Sequence, residues 1–255
     1  MIKLKIFLPL ILIVLQCSNL LFAQKTELLI LPTIHGGHYK NPNYSFEHIR
    51  HIIQNFKPDI IALEIRQEDL NQDTTYLKRF YNPEMILFKN SFPEAQKAGI
   101  DEMGKDMRGK PLALNFAQDS LTDWGKFLLT NKKLMRDSSI IKARTESGMV
   151  AIKIKQGKMM GSLSASELMA GGVYDQLTEE YTNTQTRVLK HSPYSYFDKF
   201  NVWRDTEIAK NIKALALKNP GKRIIVLTGA NHRNRAVKLL SKVKSVNLVK
   251  EVKDN

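Results

Sequence analysis

Cysteine is nearly absent: Cys17 is the only one in 255 residues. Whatever folds after it therefore has no disulfide staple, no cysteine nucleophile and no thiolate cage for a metal. Long apolar runs are missing as well, since the stretch Ile6 to Leu15 falls well short of the roughly 20 residues that span a bilayer. There is no Gly-x-Ser-x-Gly elbow, no Gly-x-x-x-x-Gly-Lys-Ser/Thr loop and no His-Glu-x-x-His helix. These absences argue against elbow-type serine hydrolases, P-loop nucleotide enzymes and thermolysin-type peptidases. Acidic residues are scarce: 25 Asp and Glu face 39 Lys and Arg, for a formal net charge of +14. The basic residues are scattered, without aromatic interleaving or a helix-turn-helix signature, so no nucleic-acid partner is expected. The excess fits loose association with an anionic envelope surface instead.

What is present begins with an export signal. Lys3 and Lys5 precede the apolar stretch, and Leu21-Phe22-Ala23 sets a small residue before Gln24, the order required for secretory cleavage near Ala23. The expected destination is the periplasm or the exterior. Val14-Leu15-Gln16-Cys17 has the rough form of a lipoprotein site, with Gln16 where a small residue is wanted, so anchoring through Cys17 is the minor alternative.

The remainder, residues 24–255, reads as one α/β domain with a mainly parallel central sheet, flanking helices and a helical insertion. Thr26 to Thr33 is an apolar run ending in Ile34-His35. Residues Phe46, Ile49, Ile52, Ile53 and Phe56 follow at helical spacing, and Lys57-Pro58 stops that helix before a second run, Asp59 to Leu63, which ends in Glu64. Such a β-α-β unit implies parallel strands. A polar helix is expected over Arg66 to Phe80, then a helix end at Ala95 to Ala98, a glycine stop at Gly99 and a short strand delivering Asp101. From Leu121 to about Tyr196 no strand pattern occurs, only helix-like stretches punctuated by Gly148, Gly157, Gly161 and Gly171-Gly172. Alternation resumes with a helix over Asp205 to Leu217, a strand over Ile224 to Leu227, a helix opened by His232 and a last strand at Val246 to Val249.

Two histidines thus stand at the ends of apolar runs from opposite ends of the chain, His35 and His232, and Glu64 ends a third. In open α/β sheets the carboxyl edge is where ligands bind. Two imidazoles and a carboxylate there suit either a divalent metal or general acid/base chemistry. Gly229, just past its strand, lets the backbone turn and approach a ligand closely. Arg66 offers Glu64 a simple ion pair, Asp205 a simple helix cap, and Arg204 a clamp for an anion or for developing negative charge. His38, His48, His51 and His191 read as structural or surface residues.

The ordered combination Thr33-Ile34-His35, Lys57-Pro58-Asp59 through Glu64, Asp101, Trp203-Arg204-Asp205 and Gly229-Ala230-Asn231-His232 resembles the TraB/GumN/Tiki superfamily, which is related to erythromycin esterase-like and ChaN-like proteins. In that family two Gly-x-x-His motifs and an acidic residue form the centre, and Tiki members are described as metal-dependent proteases. The resemblance implies His35, Glu64 and His232 as metal ligands or acid/base groups for Zn, Mn or Co, with Arg204 beside them. It further implies an exported hydrolase cleaving a peptide or another amide or ester bond of a peptide or small-molecule substrate. Pro32 replaces the first motif glycine, removing an N–H and fixing φ. The alternative readings are a haem- or ligand-binding ChaN-like protein, with Tyr39, Tyr44, His38 and methionines as candidate contacts, and an inactive structural member of an envelope complex.

Overall fold

The computed structural model describes residues 24–252; the export signal, the cut near Ala23 and Cys17 lie outside the described residues. Strands β1 (Thr26–Thr33), β2 (Ile60–Leu63), β3 (Gln96–Gly99), β4 (Arg223–Gly229) and β5 (Val246–Val249) form one wholly parallel sheet in the order β3-β2-β4-β1-β5. Strands from early and late in the sequence therefore meet inside the sheet, where β1 pairs with β4 from Glu27 opposite Arg223 to Thr33 opposite Gly229. Leu63 stands opposite Leu227 on one side and Gly99 on the other, so the carboxyl ends of β3, β2, β4 and β1 lie side by side.

The period of two in each strand divides the core. Leu29, Leu31, Ile61, Leu63, Ile225 and Leu227 pack on one face, and Leu28, Ile30, Ile60, Ala62, Ile224 and Val226 on the other. The first face is covered by α1 (Phe46–Phe56) through Ile49, Ile52 and Ile53, by α3 (Pro83–Asn90) through Met85, Ile86 and Phe88, and by residues of the insertion. The second is covered by α9 (Ser195–Lys218) through Ile208, Ala209 and Ile212, and by α10 (Ala230–Leu240) through Ala236 and Leu240. Burying each such aliphatic side chain is worth about 1.5–3 kcal/mol, which makes this sandwich the main source of stability.

Three local expectations need correction. Between Arg66 and Phe80 only α2 (Thr74–Leu77) is helical. The reason is burial of Arg66 and Asp69: Arg66 donates to the carbonyls of Met107 and Lys110, and Asp69 accepts from the Tyr76 and Tyr81 hydroxyls and the Leu112 N–H. Those side chains stitch two loops together in place of a helical ladder. Gly99 is the last residue of β3 rather than a helix stop, and a Cβ there would lie 2.6 Å from the Gln67 backbone nitrogen and 2.7 Å from the Ile65 carbonyl. Asp205 lies inside α9, which starts ten residues earlier than the sheet-facing periodicity indicates. The first half of α9 packs Phe197 and Phe200 on Phe127, with centroids 5.0 and 4.9 Å apart, so its apolar face there meets the insertion instead of the sheet.

Between Asp123 and Leu189 every element is helical: α4 (Asp123–Leu134), α5 (Ser138–Glu146), α6 (Met149–Ser162), α7 (Ala165–Met169) and α8 (Val173–Leu189), with a 3-10 turn at Ala170–Gly172. Asn41 ties α6 to the loop after β1, donating to the carbonyls of Met160 and Leu163 at 2.9 Å each. The buried ion pair of Arg233 in α10 with Asp175 in α8 pins the layer from the other side, and the same guanidinium donates to the Ile30 carbonyl of β1. No helix among the described residues is long and apolar enough to cross a membrane.

Candidate active site

His35, Glu64, Asp101 and His232 come from the ends of β1, β2, β3 and β4, and the strand order sets them in a row. Gly229 lies between the two imidazoles: a Cβ there would be 2.8 Å from His35 Nε2 and 3.4 Å from His232 Cδ2. The absence of a side chain at Gly229 is what makes room for both rings. His35 itself has φ of 53°, the left-handed region that costs a residue with a Cβ about 1 kcal/mol or more. That turn swings its ring toward β4.

Each imidazole has its own carboxylate. His35 Nδ1 donates to Glu84 Oε1 at 2.6 Å, and His232 Nδ1 donates to Asp205 Oδ1 at 2.6 Å. Glu84, in the first turn of α3, is fully buried, and its Oε2 has no hydrogen-bond partner among the described residues. Burial alone would lower the His35 pKa; the Glu84 hydrogen bond and the nearby Glu64 and Glu84 charges outweigh it and raise it. For His232, burial again opposes protonation, and Glu64 and Asp205 reverse the direction.

Glu64 is held from both sides. Its Oε2 accepts from the Thr228 hydroxyl at 2.8 Å and the Gly229 N–H at 2.6 Å, while Oε1 accepts from Arg204 Nη2 at 3.2 Å and lies 3.5 Å from His232 Nε2. Burial pushes this carboxyl up, but His232, Arg204, His35 and the Gly229 N–H together bring it down to about 2. Arg204 reaches in from α9 and is the hub. Its Nε and Nη2 donate to Asp101 Oδ1 at 3.1 and 2.6 Å, Nε also to the Glu102 carbonyl at 2.9 Å, and Nη1 to His232 Nε2 at 3.1 Å. The guanidinium carbon stands 5.5 Å from the Trp124 ring centroid. Asp101, raised to about 6 by burial against the pull of Arg204, is thereby fixed beneath the site. Beyond it, an open groove of about 720 Å³ lined by Glu102, Arg108 and Glu207 runs along the free edge of β3.

The four residues picked out by the sequence, His35, Glu64, Arg204 and His232, thus lie together, and Arg66 takes no part, its carboxylate partners being Asp69 at 3.2 Å and Glu68 at 3.7 Å. Glu84 and the pairing role of Asp205 are what sequence reasoning missed. An acid after proline in a helix's first turn is the usual dipole-matching surface pattern, and only its neighbours Met85, Ile86 and Phe88 hint at burial.

A search among protein-family models, curated proteins and solved structures finds no match to this chain. The donor set itself can be tested against the ligands expected from sequence. Among the described residues no three His, Cys, Asp or Glu side chains converge as a metal site does, and the guanidinium of Arg204 already fills the space between Glu64 and Asp101. In this arrangement Glu64 Oε1 and His232 Nε2, two of the atoms a metal would use, are engaged by the Arg204 guanidinium. Of the candidate haem contacts, His38 and Tyr44 are engaged within the protein: His38 Nε2 accepts from the Ile34 N–H, its Nδ1 donates to the Tyr44 carbonyl, and the Tyr44 hydroxyl donates to the Pro32 carbonyl. His48 accepts from the Ser45 N–H at the start of α1.

Proposed function

We propose that this sheet edge is a hydrolytic centre, with His35 as general base and Arg204 as stabiliser of negative charge, acting on an ester or amide bond, peptide bonds included, in an exported protein. The observation that carries the reading is the state of His35. Its Nδ1–H is tied to buried Glu84, while Nε2 has no hydrogen-bond partner among the described residues and the side chain is 37% exposed. A tautomer locked at one nitrogen leaves a basic lone pair aimed into the site.

In the proposed reaction Nε2 takes a proton from water as its oxygen attacks the scissile carbonyl. The resulting oxyanion is met by the Arg204 guanidinium, whose Nη1 is shared with His232. Collapse of the tetrahedral species breaks the C–N or C–O bond, and the proton on His35 passes to the leaving group. Asp205 orients His232 by taking its Nδ1–H, and Glu64 and Asp101 hold Arg204 in place. The resemblance to the TraB/GumN/Tiki superfamily accords with this assignment. It also implies Zn, Mn or Co at His35, Glu64 and His232, where a bound ion would supply Lewis-acid activation of water.

The test is an assay of purified protein against ester and amide substrates, with and without chelator and with each metal added. His35→Ala should lower kcat by about 10²- to 10⁴-fold, the usual contribution of a positioned base. The rate should fall as pH drops through the raised His35 pKa, because the imidazolium cannot accept a proton. Unchanged turnover in His35→Ala would end the proposal, and activity that disappears with chelator and returns with metal would replace the base by a metal-bound water.

A further inference from the structure

We propose that the outer face of α5 and α6 is a docking surface for an anionic lipid bilayer. Four exposed apolar side chains lie there: Met135 at the end of α4, Ile141 on α5, and Val150 and Ile154 on α6, with Ile154 57% exposed. Arg144 of α5 touches the Met135 sulfur at 3.2 Å, and α5 packs on α6, so these residues belong to adjoining elements. On α6 the division is clean. Met149, Ile152 and Gln156 face inward, whereas Val150, Ile154 and Lys158, spaced by four, line the outside, with Lys155 on the same flank.

Charge selects the occupant. From Ser138 to Ser162 there are five basic residues against one acid, Glu146; Lys142 approaches that acid at 3.8 Å, Arg144 and Lys153 turn to Tyr181 of α8, and Lys155 and Lys158 are left as the exposed cations beside Val150 and Ile154. Isolated exposed aliphatics are ordinary on any surface. Aliphatics set among unpaired lysines on one helix face are the pattern that places apolar groups at the acyl boundary and ammonium groups against anionic headgroups. The far end of α6 is bonded to Asn41, two residues after Tyr39, an aromatic side chain 69% exposed and suited to the headgroup zone. Docking here would hold the His35 loop, which Asn41 joins to α6, close to the lipid surface.

Flotation with phosphatidylcholine vesicles, with and without phosphatidylglycerol, tests this on the full chain and three variants. Ile154→Glu and Lys155→Glu/Lys158→Glu alter the face, and Lys218→Glu/Lys242→Glu makes the same charge change as the double lysine variant at exposed positions outside α5 and α6, at the end of α9 and just after α10. Because all share the same N-terminal segment, differences report the face alone. The expected result is binding to the mixed vesicles only, lowered about tenfold or more by the two face variants and unchanged in the control. All altered side chains are exposed, so melting curves should coincide. No binding to the mixed vesicles, an equal loss in the control, or an unchanged Ile154→Glu would each overturn the proposal. So would retention on immobilised polyglutamate matching that on vesicles, which would mark the face as a site for acidic protein.

Discussion

At Gly229 the backbone needs no special conformation, since its φ is −53°, yet any side chain would meet His35 Nε2. The nearest obstacle is the tip of a side chain that can rotate away. Gly229→Ala should therefore cost no more than about 1 kcal/mol in denaturant unfolding while displacing His35 and reducing the proposed hydrolysis about a hundredfold or more. An alanine variant of full activity would show that the ring contact does not matter. The Glu84 pair has a pH signature. Because the folded pKa of His35 is raised, its stabilisation is fully present below the ordinary value of 6.5 and is lost as pH rises through the folded value. Glu84→Gln removes the charge, so His35 should titrate at lower pH in an NMR titration; an unchanged titration would sink the pairing. Glu64 has the opposite sign: its contribution is present above its ordinary value of 4.5 and is lost as pH falls toward about 2. In Glu64→Gln the acid limb of Tm against pH should flatten over that window.

For elements, the contrast is between two glycines at strand ends. Gly229 faces side-chain tips, but Gly99, ending β3, faces the backbone of residues 65–67, which cannot rotate aside. Gly99→Ala should force the loop after β2 away from β3 and destabilise the protein by about 1–3 kcal/mol, measurable by urea unfolding. A neutral result would mean that the loop is free to shift. That loop carries Arg66 and Asp69, whose buried bonds hold the segment from Met107 to Leu112, so the strain would spread toward Glu102 and Asp101. Element α9 does two jobs for the same reason that its start was hard to place: its first half packs aromatics on the insertion, and its second half packs aliphatics on the sheet. Arg204 and Asp205 stand at the change, one reaching Asp101 and Glu64, the other His232.

The molecule as a whole is closed by its C-terminal part, because β4 separates β1 from β2. A chain ending at Lys222 would lose the strand that joins the two and the imidazole of His232 together. It should show no cooperative thermal transition by circular dichroism, and a cooperative melt would contradict the topology. The helical layer is held at separate points, by Asn41 on α6 and by the Arg233–Asp175 pair on α8. Breaking that pair with Arg233→Met leaves Asp175 buried without its cation, for an expected loss of about 3–5 kcal/mol.

The strands that build the site were legible because a buried parallel strand is a continuous apolar run whose length and end are local properties: β1, β2, β4 and β5 all lie where the residues place them. The same local patterns put His35, Glu64 and His232 at one carboxyl edge, and the spacing from Leu121 onward marked the helical layer. Partnership was not legible. Whether Arg66 or Arg204 answers Glu64, and whether His35 finds Glu84, depends on strand order and on how helices lie across the sheet, which bring together side chains 140 and 49 positions apart. Sequence alone determined which groups reach the edge, since burial imposes that residue by residue. Only the tertiary structure decided how their charges are shared, because hydrogen bonds and Coulomb terms act over a few ångströms and take no account of distance along the chain.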